Sequence, residues 1–183
     1  MIEQHEKEWR RIMAKPVQIG LLILVSCLVA GAYGALHNQL SYSVGSAYFH
    51  DLKFAEFGIP PDQQNRIGAA LIGWRASWWM GAFMGIAVFG LASVLIPAKH
   101  LLPLGLGVLF LAVFVTTIGA LGGLLLAILG PSIPVIADSL AQLPPDPGFR
   151  RAALMHEGSY IGGALGGFIA LWTIWRARRS LNA

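Results

Sequence analysis

His37 follows the first long apolar run of the chain, Arg75 lies in the second, and His156 with Glu157 sits near the start of the last. Counted along helices, these groups fall at one level, close to the outer face of a membrane. An ionisable group at that depth is costly unless it is paired, hydrated or ligating, so the cluster is a candidate functional site. Neutral imidazole together with carboxylate is a donor set for a transition metal such as zinc, iron, copper or manganese. In that reading His37 and His156 are the first ligands, Glu56 or Glu157 supplies the carboxylate and general base, and Arg75 holds an anionic substrate. Asn38, Tyr42 and Tyr160 can orient ligands or donate protons, and Trp74 and Trp78 lie one turn apart beside Arg75. His50 and Asp51 complete the nearby ligand inventory.

No spacing among these residues is diagnostic. The chain contains neither His-Glu-x-x-His nor Glu-x-x-His, so the zinc-protease and di-iron bundle motifs are both missing. Two histidines facing each other from different helices are also the axial pattern of a b-type haem. The tryptophans beside Arg75 are a candidate wall for a quinone or lipid head group. The reading that asks least is structural: His37, Asn38, Arg75, His156 and Glu157 form a satisfied polar network, Arg75 pairing with Glu157, that ties an outer loop to the helix ends. No reaction follows from these residues alone.

The elements that must position them follow from composition. Of 183 residues 56% are hydrophobic and 12% charged, where a soluble domain carries about 25% charged residues. The apolar residues fall in long runs, and a run of about 20 is what an α-helix needs to cross a bilayer. The spacing predicts a single all-α membrane domain over 1–183 with four transmembrane helices, at 17–36, 66–96, 101–129 and 150–175. Asp62 is the expected cap of the second helix, Pro97 its stop, Gly130-Pro131 the end of the third, and Pro147 behind Asp146 the start of the fourth. The outer connection at 37–61, rich in Tyr and Phe, is expected to fold as a cap, and the one at 131–145 to carry a short amphipathic helix on the membrane surface.

Eight basic residues lie on the side of the two termini (four before Pro16, then Lys99, Arg176, Arg178 and Arg179), and five lie on the other. The positive-inside rule therefore places both termini in the cytoplasm of a bacterial inner-membrane, multi-pass protein. The basic residues flank apolar runs as topology signals, and nucleic acid is not an expected partner. Glycines recur at spacing four (Gly81 and Gly85, Gly119 and Gly123, Gly158, Gly162 and Gly166, Gly163 and Gly167), a pattern for close helix packing within one bundle or between copies in a homo-oligomer. Trp74, Trp78 and Trp79 mark one membrane boundary, and Trp172 and Trp175 the other. Leu24-Val25-Ser26-Cys27 looks like a lipoprotein cleavage box, but the chain stays apolar to Leu36, which favours an ordinary buried cysteine.

His37-Asn38-Gln39 with Tyr42, then Tyr48-Phe49 and Gly73-Trp74-Arg75 running to Trp78-Trp79, resembles a group of small, functionally uncharacterised bacterial membrane proteins. In that group the first helix ends in His-Asp-Gln, a Tyr-Phe pair follows, and the second helix carries Trp-x-x-x-Trp-Trp. The resemblance covers about a quarter of the chain. It implies the membrane address and no activity. Asn38 and Ala47 stand where the group often has aspartate and glutamate, and each change removes a carboxylate ligand. The functional expectation is thus a membrane protein with a polar His/Glu/Arg cluster at its outer face, read as a metal site or as part of a structural or assembly subunit of a membrane complex.

Overall fold

The computed structural model describes the backbone of residues 2–181 and the side chains of residues 14–181. The chain is 90% helical, with no strand among the described residues. Helix α1 spans Ile2–Val44. A π-helical turn, Phe49–Lys53, leads into the single turn α2, Phe54–Glu56, and a 3-10 turn, Pro61–Gln63, precedes α3, Arg66–Leu95. After Pro97 come α4 (Ala98–Leu129), the short α5 (Pro134–Ala141) and α6 (Pro147–Leu181). Three segments, Ala14–Val44, Arg66–Leu95 and Ala98–Ser132, are long and apolar enough to cross a membrane.

The first helix runs two turns beyond the expected end at Leu36, and passes Pro16 without a break. Polar residues drive that extension, because they face inward: His37, Asn38 and Ser41 are buried, while Leu36 and Leu40 are 67% and 63% exposed. Asn38 Nδ2 donates to the Ala69 carbonyl at 2.8 Å and Gln39 Nε2 to that of Arg66 at 2.7 Å, which latches the end of α1 to the first turn of α3. The cap of α3 is Asn65, not Asp62. Its Oδ1 accepts from the amides of Ile67 (2.8 Å) and Gly68 (3.3 Å), two donors that the first turn would otherwise leave unmet. Asp62 lies instead in the preceding 3-10 turn. Asp146 caps α6 as expected, accepting from Phe149 N at 2.6 Å.

The loop between α2 and α3 is ordered by one glycine. Gly58 sits at φ 62°, and around it Ile59 N donates to Phe54 O (2.8 Å) and Gly58 N to Ala55 O (3.1 Å). These are the paired bonds of a Schellman stop, which needs a left-handed residue just past the helix end. The turn drops Ile59 into an apolar cluster with Tyr48, Phe49, Phe54, Ile72 and Phe149. A second cluster at the opposite end of the helices gathers Leu22, Phe89, Ile96, Leu101 and Ile174.

Between the clusters the helices pair as two hairpins, α1 with α3 and α4 with α6. Helices apolar enough to cross a membrane would gain no hydrophobic drive from lipid, and close packing would then carry their association. Gly34 lies against the Gly73 carbonyl, Gly81 against that of Ser26, Gly119 against that of Gly158, and Gly123 against that of Leu154. A Cβ at any of these positions would strike backbone. The glycine spacing is therefore used inside the bundle. Trp74, Trp78 and Trp79 are exposed on α3, as are Trp172 and Trp175 on α6.

Candidate functional site

His37 of α1 and His156 of α6 come from different hairpins and meet in the interior. Their ring centroids are 4.6 Å apart with planes at 82°, an edge-to-face contact. The rings are 7% and 5% exposed. His156 Nε2 shares a hydrogen bond of 3.1 Å with Ser41 Oγ, one turn along α1 from His37. Its own carbonyl accepts from Ser159 Oγ at 2.7 Å. The Tyr48 ring covers His156 at 4.8 Å and Phe49 stands at 6.0 Å, so the segment that follows α1 forms the lid of the pair. Burial, followed by the negative potential of Tyr160, Glu157 and Glu56, holds the Tyr48 phenol above its ordinary range, and it stays neutral.

On the other side of His37 the ring of Tyr33 stacks at 5.8 Å with an interplanar angle of 19°. Three buried side-chain polar atoms among the described residues have no hydrogen-bond partner, and all belong to α1: Gln18 Oε1, Tyr33 Oη and His37 Nε2. A buried group left unmet costs about 1–3 kcal/mol. The pair is thus asymmetric. His156 has a partner, and His37 has a free ring nitrogen.

The other expected site residues are dispersed around this centre. Glu56 is bound to Lys53 at 2.8 Å, and Glu157 is exposed on α6. Arg75 does not pair with Glu157; it donates to the Phe57 carbonyl at 3.4 Å and lies 5.8 Å over the Phe57 ring. Tyr42 shares a hydrogen bond of 3.1 Å with His50 Nε2, and its ring lies beneath the Arg66 guanidinium at 5.3 Å. Asn38 is used in the α1–α3 latch. Tyr160 is 55% exposed, with its ring 6.3 Å from that of His156. Trp74 and Trp78 are exposed, Trp74 covering Gly31. Cys27 lies in mid-helix, half-buried.

Two of the four proposed metal ligands are therefore brought together and two are not. No group of three or more His, Cys, Asp or Glu side chains able to hold a metal is found among the described residues. The edge-on arrangement, with planes at 82°, is not that of two imidazoles ligating from opposite faces of a macrocycle.

Ser41, Tyr48 and Tyr33 were not among the sequence candidates. Tyr33, His37 and Ser41 recur every four residues, one stripe of a helix, a signal that is lost if the helix is ended at Leu36. The partnership of Ser41 with a histidine 115 residues away has no local signature. No protein family matches this chain, and neither a curated protein nor a solved structure is similar to it.

Proposed function

We propose that the chain is a four-span protein of the bacterial cytoplasmic membrane, with both termini inside, that serves as a structural or assembly subunit of a membrane complex. One observation carries the structural half of this reading. The His37–His156 contact joins the two hairpins, is tied to Ser41 and lidded by Tyr48, and belongs to no group of three or more metal-binding side chains among the described residues. A closed contact of this kind fixes how two hairpins sit together. It offers little to a substrate.

A fourth span is supported by α6, which has no charged residue from 158 to 175. Those 18 residues extend about 27 Å at 1.5 Å each, close to the hydrocarbon thickness of about 30 Å, and they run alongside α4 through the glycine contacts. Reporter fusions at each terminus test this part: both must read cytoplasmic, and a carboxyl terminus on the outside would leave three spans. The subunit role is favoured by how little of the apolar surface the chain covers itself. In the most apolar windows of the three spans only 17–28% is buried, leaving wide faces for lipid and for other chains. Affinity purification of the full chain in mild detergent tests it. The expected result is a stoichiometric membrane partner or a larger particle; a monodisperse monomer with bound metal would overturn it.

The second reading is a metal site. The unpartnered Nε2 of His37 favours it, since a buried ring nitrogen free of any hydrogen bond, beside a second imidazole, can ligate in its unprotonated tautomer. Elemental analysis of purified protein decides: about one equivalent of a transition metal supports this reading, and less than about a tenth removes it.

A further inference from the structure

The far end of α6 carries a second constellation. The Arg176 guanidinium lies 5.2 Å over the Trp172 ring, and those of Arg178 and Arg179 lie 5.1 Å and 4.7 Å over Trp175. Trp172, Trp175, Arg176 and Arg179, with Thr173 and Ser180 beside them, line a shallow open groove along this one face of α6. A guanidinium stacked on an indole engages its face, and its N–H groups remain in the plane, directed outward as a fork that fits phosphate oxygens.

Position and charge name the occupant. Arg176 is the first charge after the 18 uncharged residues, so on the four-span reading the groove lies at the bilayer surface. The exposed stripe Leu165, Phe168, Trp172 follows the helical spacing of three and four directly into it. The end of the molecule with the termini carries eight basic and three acidic residues, a net +5 however they pair among themselves. The other end carries five basic and six acidic, a net −1. An apolar stripe that leads to a fork of cations at the surface is the complement of one acyl chain with an anionic head.

We propose that this stripe and groove form a binding site for an anionic phospholipid, its phosphate held by Arg176 and Arg179 and its acyl chain laid along Leu165, Phe168 and Trp172. The inference rests on α6 crossing the bilayer, which the terminal reporters test separately. Full-length protein is taken from phosphatidylcholine vesicles containing phosphatidylglycerol, and the retained lipids are counted by native mass spectrometry. The wild type should retain phosphatidylglycerol in preference, and each guanidinium removed in R176Q and R176Q/R179Q should lower that preference about fivefold, the effect of one basic residue near an anionic surface. The outer-end variant R66Q/R151Q, equal in charge, should keep it. If the double variant does not fold, the single variant R179Q carries the same test. Equal retention of both lipids by the wild type, unchanged retention in the groove variants, or an equal loss in the outer-end variant would each overturn the assignment.

Discussion

The imidazole of His156 meets that of His37 edge-on, 4.6 Å between centroids, and only His156 has a hydrogen-bond partner, Ser41. The contact is the polar point at which the α1–α3 hairpin is fixed to the α4–α6 hairpin. Its position explains why the segment from His37 to Ser41 is helical although it is polar.

The hairpins themselves depend on backbone contact. Gly119 and Gly158 face each other across α4 and α6, and a side chain at either would strike the other's carbonyl. G119L or G158L should destabilise the protein by about 1–3 kcal/mol, the usual cost of overpacking, read by unfolding in mixed micelles. Gly107 and Gly122 have nothing within 4 Å. G107A and G122A should be neutral or gain up to about 1 kcal/mol from helix propensity. If the two sets behaved alike, the hairpin packing described above would be wrong.

Gly58 gives a test of the lid. At φ 62° it holds the Schellman stop that turns Ile59 inward. G58A should cost about 1–2 kcal/mol, the penalty for a Cβ in the left-handed region, and G58N should cost less, because asparagine tolerates that conformation. Proteolysis of the 49–65 loop in membrane vesicles should rise in the same order. An unchanged G58A would show that the stop does not set the loop.

How much of this was legible follows from the same residues. The long helices could be read from apolar runs, and Asp146 at the start of α6 from the capping rule. The end of α1 could not be read in that way. In lipid the usual arrangement inverts: Leu36 and Leu40 turn outward while His37, Asn38 and Ser41 pack against α3 and α6. A run that looks like a loop by hydropathy is therefore two further turns of helix. Asp62 and Asn65 are both good caps, so composition alone does not choose between them; the 3-10 turn after Pro60 takes the first and Asn65 caps α3. Depth along the helices singles out the two histidines. Level does not say which way a carboxylate points, and Glu56 turns to Lys53.

Tyr48 makes the stability depend on alkaline pH. Its phenol is raised above 10.0 in the folded protein by burial, whereas in the unfolded chain it ionises near about 10. Below that value both states are neutral and the contribution is complete. As pH rises past it the unfolded state loses its proton first, so stability falls with pH. Unfolding followed from pH 8 to 11.5 should show a steeper alkaline loss for the wild type than for Y48F. Identical slopes would mean that Tyr48 is not shielded in the folded protein.

The central claim, that the histidine pair is a structural tie between hairpins, is tested most directly by comparing the unfolding free energies of H37L and H156L in the same micelles. Leucine at 156 removes the hydrogen bond that joins α6 to Ser41, leaving Ser41 Oγ only its 3.5 Å bond to the Asn38 carbonyl, and should cost about 1–2 kcal/mol. Leucine at 37 removes a nitrogen that has no partner and should change stability by less than about 1 kcal/mol, in either direction. A loss in H37L as large as in H156L, accompanied by release of a bound metal, would contradict the account and identify the pair as a ligand site.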